Sequence, residues 1–271
     1  AREVLLGLRE AIADYRVPQA WSDSVAAERI AWDEAWNRAV RPPDNKQAVP
    51  SDAQVIGAVC RWARNETTVV CAAGGLPGEL HKLWRPASAA GYHVEYGFSC
   101  MGYEIAGGLG VKLAEPDREV VVMVGDGSYL MLNSEIATSV MLGLKLTIVV
   151  LDNRGFGCIN RLQKAGGGAP FNNLLADCRR KDDPAPVDFA AHAAALGARS
   201  EKVADVGALS AALERARASS RTYVIVIETD PQAATDAGGA WWDVAVPEVS
   251  TRDAVRAARA EYERRRKTRW E

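Results

Sequence analysis

The side chains best placed to do chemistry stand in two short turns. The first is Gly125-Asp126-Gly127-Ser128 and the second is Asp152-Asn153-Arg154-Gly155-Phe156-Gly157. Each follows an apolar run of strand character, Glu119 to Val124 and Lys145 to Leu151, with a helix-like segment between them. In an open parallel sheet, ligands sit at the carboxyl ends of such strands. Asp126 offers a hard carboxylate oxygen and Asn153 an amide oxygen, and the glycines beyond Asn153 let a main-chain carbonyl turn inward. A small set of oxygen donors suits Mg²⁺, which keeps several waters and takes further ligands from a phosphate. Gly127 lets the backbone come close to that phosphate, and the N–H groups of Ser128 and its neighbours, near a helix start, can face the anion. The two turns read as a clamp for Mg²⁺ and a diphosphate. An ordinary βαβ unit with Gly and Asn turns is the plainer reading of the same residues.

The spacing resembles the signature of thiamine-diphosphate enzymes, a Gly-Asp-Gly followed one strand–helix–strand unit later by Asn. The resemblance implies that Asp126, Asn153 and the carbonyl of Gly155 hold the metal, with Gly127, Ser128, Gly155 and Phe156 in the cofactor-binding set. Upstream, Gly97-Phe98-Ser99-Cys100-Met101-Gly102 is similar to the turn where this family wedges a Met under the bent cofactor. Two residues earlier the family presents a carbonyl to the aminopyrimidine. Here those residues are Met101 and Ser99, although Met101 also reads as a core methionine. His81, in His81-Lys82-Leu83-Trp84, resembles a His-x-x-Trp of the acetolactate-synthase branch, whose His contacts the diphosphate; a surface or core histidine is the alternative.

Longer runs, residues 95–106, 124–135 and 152–163, resemble more narrowly the inositol-catabolic ring-opening hydrolases of the family. That likeness covers most of residues 50 to 250. It implies hydrolytic C–C cleavage of 3D-(3,5/4)-trihydroxycyclohexane-1,2-dione to 5-deoxy-glucuronate, with thiamine diphosphate and Mg²⁺ as cofactors. Family members also need a glutamate that protonates the aminopyrimidine. It comes from a pyrimidine-binding domain, usually of a partner subunit, and no residue here matches its motif; Glu95 and Glu104 are not substitutes. The expectation is therefore the C-terminal, diphosphate-binding part of a longer homo-oligomeric enzyme, without turnover on its own. A related acetohydroxyacid synthase or decarboxylase, and a non-catalytic binding or assembly module, are the alternatives.

Positioning these residues requires an α/β fold: a six-stranded parallel sheet flanked by helices, preceded by an N-terminal helical segment. Four further strands are expected at Thr67 to Ala73, Tyr92 to Tyr96, Arg199 to Val203 and Tyr223 to Glu228. Helices are expected from about Met101 to Ala114, Asn133 to Leu142, Val187 to Leu196 and Val206 to Ala218, joining the strands as βαβ units. Gly107-Gly108 and Gly110 inside the first of these do not open the helix, so they are not a dinucleotide fingerprint and point to close packing. Glu135 reads as an acid complementing a helix dipole rather than as a catalytic group. Gly74 to Gly78 reads as a loop. Residues from Asn160 to about Pro186, with Gly166-Gly167-Gly168, read as a mobile loop, either a lid over the site or a surface insertion.

Val4, Leu5, Leu8, Ala11, Ile12 and Tyr15 recur at helical spacing, and a second helix begins near Ser22 and carries Trp32 and Trp36 on one face. Arg41 to Asn45 reads as a linker, and Ser51 with Gln54 as a capping box opening the next helix. The boundaries expected are 1–48 for the helical segment and linker, 49–235 for the cofactor domain, and 236–271 for a tail with Trp241-Trp242 and a charged helix from Arg252 to Arg266. A chain of 271 residues, 48% hydrophobic, can bury roughly three-quarters of its unfolded surface in such a core. The net charge of −2 points to no nucleic-acid or membrane partner. Five cysteines without metal-type spacing suit a reducing, cytoplasmic setting. No apolar run approaches the roughly 18 residues of a spanning helix.

Overall fold

The computed structural model describes residues 1–45, 47–178, 187–236 and 243–268. Its contacts divide the chain into Ala1–Ala39 and Val40–Glu271. The first unit holds α1 (Arg2–Ala11) and α2 (Gln19–Ala39), neither of which buries a residue. α1 stops short of Ile12 and Tyr15. α2 starts three residues before Ser22, because Pro18 opens it: the Pro18 carbonyl accepts from the N–H groups of Trp21 and Ser22. A proline at a helix entry loses no intrahelical bond, since its missing N–H has no partner there in any case.

The second unit is built on one parallel sheet. Chain order runs α3 (Asp52–Trp62), β1 (Thr67–Cys71), α4 (Gly75–Leu83), β2 (Tyr92–Val94), α5 (Tyr103–Ala114), β3 (Glu119–Gly125), α6 (Asp126–Met131), α7 (Glu135–Met141), β4 (Thr147–Asp152) and α8 (Gly157–Ala165). After a 3₁₀ turn at Leu175–Asp177 come α9 (Phe189–Ala195), β5 (Arg199–Val203), α10 (Val206–Ala218), β6 (Tyr223–Glu228) and α11 (Asp253–Thr268). The strands lie in the order β2-β1-β3-β4-β6-β5, every pair parallel. The expected six-stranded α/β architecture with its leading helices is therefore the observed one. Ser51 and Gln54 form the reciprocal capping box that opens α3.

The apolar strand runs are buried on both faces, as parallel strands must be. Val122, Val124, Ile148, Val150, Val224 and Val226 point into a core covered by Ile105 and Leu109 of α5, Ile136 of α7 and Phe189 of α9. Their neighbours in sequence point to the other face, where α3 packs with α4 and α10. Of the α5 glycines, Gly108 is the one that packs on the sheet, whereas a Cβ on Gly107 would meet the Tyr103 ring and one on Gly110 would meet nothing. A Cβ on Gly108 would stand 2.4 Å from Val122 Cγ2, so helix and strand touch backbone to side chain.

The strand order reverses between β1, which leads out to β2, and β3, which leads on to β4. The ends of β1 and β3 therefore part around a crevice, the expected place for a ligand in such a sheet. The opposite edge is closed by polar contacts. Arg217 grips Glu119 at 2.9 and 3.1 Å, donates to the Trp62 carbonyl at 2.8 Å and lies 4.0 Å over the Trp62 ring.

Two expectations change. Gly74 to Gly78 is not a loop, because α4 starts at Gly75. The segment after Asn160 is not one long loop either: α8 runs to Ala165, and Leu174 then bridges back to Gly155. Phe156 N–H donates to the Asn173 carbonyl at 2.7 Å and Leu175 N–H to the Arg154 carbonyl at 3.0 Å. Residues 179–186 of that segment, and Trp241-Trp242 of the tail, lie outside the described residues. No helix among those described is long and apolar enough to cross a membrane.

Substituting Gly108→Val should drive two methyl groups into β3 and lower the unfolding free energy by about 2 kcal/mol. Urea unfolding would read this, and an unchanged midpoint would contradict the packing described.

Candidate functional site

A cavity of about 230 Å³ opens at the strand ends of β1, β3 and β4. Every candidate named from the sequence lines it except His81. β3 and β4 pair in register to Gly125 opposite Leu151, so Asp126 and Asn153 leave neighbouring strands almost level. Asp126 is the first residue of α6 and only 5% exposed. Its Oδ2 accepts the Gly155 N–H at 2.7 Å, joining the two turns directly. Asn153 Oδ1 is buried and has no hydrogen-bond partner among the described residues. Its amide is held against Gly157, where a Cβ would come within 3.2 Å of Nδ2.

The electrostatics of this pair are unusual. Burial pushes the Asp126 carboxyl up to about 7, the Gly155 N–H opposes that, and the charge of Asp152 adds to it. A buried carboxylate short of positive charge beside an orphaned carboxamide oxygen is what a small oxygen-liganded cation would satisfy. Gly155, at φ +145°, can take no side chain, since a Cβ would lie 2.3 Å from the Asn173 carbonyl oxygen. Among the described residues no group of three or more His, Cys, Asp or Glu gathers. The donor set is thus one carboxylate, one carboxamide and main-chain carbonyl, chemistry that fits Mg²⁺ rather than zinc.

Next to the pair is a cradle for a larger group. A Cβ on Gly127 would meet the Phe156 ring at 2.7 Å and Met101 Cε at 3.6 Å. The bare Gly127 backbone, Phe156 and Met101 therefore converge on one wall. Ser128 is buried, and its hydroxyl is committed: it donates to Glu104 Oε1 at 2.7 Å and accepts the Gly102 N–H at 2.8 Å. Only its main-chain N–H is left for a ligand. Ser99 takes a left-handed conformation, φ +52°, in the loop after β2.

His81 is the candidate that the structure does not bring to the cavity. The continuous helix α4 carries it about 9 Å along the axis from Gly75, into the last turn. There its exposed ring lies 4.9 Å from that of Tyr96 and 5.5 Å from that of Tyr92. The first turn of α4 lines the cavity instead, through Gly74, Gly75 and Leu76. Glu135 lies outside the cavity lining, in the first turn of α7, as its dipole reading requires.

Two wall residues escaped the sequence reading. Asp52 opens α3, is 7% exposed and keeps an Oδ1 without a hydrogen-bond partner among the described residues. Arg161 of α8 donates to the Pro231 carbonyl at 2.7 Å, and its Nη2 lies 2.6 Å from where a Gly75 Cβ would be. The capping box was the available signal for Asp52. A helix feeding a parallel strand starts at that strand's carboxyl edge, so its first turn faces the site.

These features agree with the comparisons to known proteins. The family model for the thiamine pyrophosphate enzyme, C-terminal TPP binding domain, matches residues 57–227, and the chain belongs to that family. A 3D-(3,5/4)-trihydroxycyclohexane-1,2-dione hydrolase of Geobacillus thermodenitrificans is 37% identical over 287 residues, covering 95% of this chain and 44% of the relative. One from Halalkalibacterium halodurans is 44% identical over 195 residues, covering 71% of this chain and 30% of the relative. The chain thus spans less than half the length of these curated relatives. A solved thiamine diphosphate-dependent 4-hydroxybenzoylformate decarboxylase of Rhodococcus jostii RHA1 superposes with a TM-score of 0.62 at 19% identity, over 70% of this chain and 34% of that one. That is a likeness of fold alone.

Burial raises the Asp52 carboxyl from 3.8 to about 6, against the lowering effects of the Thr229 hydroxyl and the Arg161 charge. The folded state therefore holds this proton more tightly than the unfolded chain. The stability it contributes is full below pH 4 and is lost as pH rises through 6. Asp52→Asn should be more stable than wild type at pH 8, with the gap closing by pH 4, as read by urea unfolding at both pH values. A gap that is the same at both would count against the shift.

Proposed function

We propose that this chain holds Mg²⁺ and thiamine diphosphate for an enzyme that hydrolytically opens 3D-(3,5/4)-trihydroxycyclohexane-1,2-dione to 5-deoxy-glucuronate, in inositol catabolism. The observation that carries the reading is the Asp126 carboxylate, buried and bonded to Gly155 N–H, in one cavity with the partnerless oxygen of Asn153. The choice of reaction rests on the relatives, whose names specify this hydrolase.

When bound, thiamine diphosphate would supply a nucleophilic carbanion and, in its thiazolium ring, a sink for the electron pair of the C–C bond to be broken, with one water providing the hydroxyl of the new carboxyl group and the proton of the new aldehyde. The protein's part is placement and electrostatics. Asp126, Asn153 and the Gly155 carbonyl hold the cation. The Ser128 N–H and the bare Gly127 backbone would receive the diphosphate, and Met101 and Phe156 would shape the wall for the rings. The Ser99 carbonyl orients the aminopyrimidine. His81 has no part in this arrangement.

The glutamate that activates the aminopyrimidine belongs to a pyrimidine-binding domain, in a partner subunit of a homo-oligomer. Around the site, apolar side chains stand open to receive such a cover: Phe98 is 90% exposed, Ile159 53% and Phe156 41%. Five free thiols fit a reducing cytoplasm.

Calorimetry tests the first half of this reading. Thiamine diphosphate should bind only with Mg²⁺ present, and Asp126→Ala or Asn153→Ala should each weaken it by roughly a hundredfold, since both remove a ligand from the cation. Binding that ignores Mg²⁺ or either substitution would overturn the site. Product analysis tests the second half. With the pyrimidine-binding domain supplied, the cyclic diketone should be opened in preference to pyruvate being decarboxylated or condensed, and the chain alone should turn over neither.

A further inference from the structure

Beneath the cavity lies a buried acid that the proposed chemistry does not use. Glu104, second residue of α5, is 1% exposed and has no cationic partner among the described residues. Its charge is met by hydrogen-bond donors. Oε1 accepts the Ser128 hydroxyl at 2.7 Å and Oε2 accepts the Gly102 N–H at 3.0 Å. The Gly102 N–H also reaches Ser128 Oγ at 2.8 Å, closing a three-membered network. Burial raises the Glu104 carboxyl, while the Ser128 hydroxyl and the main-chain N–H groups of Glu104, Ala73 and Gly102 counter it.

These donors come from three different places in the chain. Ala73 follows β1, Gly102 follows β2 and Ser128 follows β3. Each belongs to, or adjoins, a segment that walls the cavity. Met101 is the neighbour of Gly102, and its methyl stands 3.6 Å from the position of a Gly127 Cβ. Gly102 itself is an αL residue at φ +94°, pressed on Leu132 just past α6. Charge-assisted bonds of this kind are short and strong, and a donor left unmatched in the interior carries its full desolvation cost.

We propose that Glu104 is a positioning residue that fixes Met101 against the Gly127-Ser128 turn, setting how a ligand that spans both is held. The inference rests on the reading of the cavity as a thiamine diphosphate site. It separates two parts of that ligand: inorganic pyrophosphate with Mg²⁺ touches only the turn and the cation, whereas thiamine diphosphate also needs Met101 in place.

The test is calorimetry on the full chain with Mg²⁺-pyrophosphate and Mg²⁺-thiamine diphosphate, for wild type, Glu104→Gln and Ser128→Ala. The amide of Glu104→Gln sets a donor against donors. It should weaken thiamine diphosphate by about tenfold or more while moving pyrophosphate by less than about threefold. Ser128→Ala, which removes both bonds of the hydroxyl but keeps the Gly102 N–H on Glu104 Oε2, should shift the ratio the same way by less, and it decides the matter if Glu104→Gln does not fold. A merely structural role would weaken both ligands by one factor, and that result, or no change in either, overturns the proposal. If wild type binds neither ligand, the reading of the cavity fails and this inference goes with it.

Discussion

One hydrogen bond governs the site: the N–H of Gly155 to the carboxylate of Asp126. It continues the pairing of β3 and β4 beyond the last ladder contact, so that two loops of unrelated sequence meet at a fixed distance. The bond sets conditions on everything around it. Asp126 must be buried to make it, which leaves the carboxylate without water. Arg154 and Gly155 must adopt φ values of +59° and +145° for the N–H to face inward. Backbone held in such rare conformations persists only where surrounding structure enforces it. Here the enforcement comes from the 173–175 segment, which bonds to Arg154 and Phe156 on either side of Gly155.

That arrangement explains what the segment after α8 does in the folded chain. Its glycines suggested freedom, yet the part that is described is tied down at both ends. Gly167, at φ +79°, lies so close to the Ala254 carbonyl that a Cβ would be 2.3 Å away, and Arg252 donates to the Gly167 carbonyl at 3.0 Å. Gly167 serves close approach to α11, Gly168 packs on Gln163 of α8, and the Asn173 carbonyl serves the turn that carries the metal-type donors.

The sequence made some of this legible and hid the rest for physical reasons. Strands such as Val120–Val124 and Ile148–Leu151 are unbroken apolar runs, and burial on both faces is their simplest fate. Asp126 and Asn153 could be read because a turn after a strand has a known direction, so residue type and spacing fix the chemistry. His81 misled because Gly74, Gly75, Pro77 and Gly78 look like helix breakers. Pro77 is in the first turn of α4, where a missing N–H costs nothing, and the helix simply begins among them. Asp52 carries only its capping box as a signal, and Arg161 and Glu104 carry no local signal for their places at and beneath the cavity. What places them there is packing between elements remote in sequence, as the Glu104–Ser128 contact shows.

The clamp of Arg217 on Glu119 and Trp62 has an implication of its own. It stands at the amino edge of the sheet, a full strand length from the cavity, and it joins the starts of β1 and β3 to the ends of α3 and α10. Robustness and chemistry are thereby housed at opposite poles of the same strands. A change at the amino pole should therefore register as altered heat resistance, while the carboxyl pole answers to its ligand.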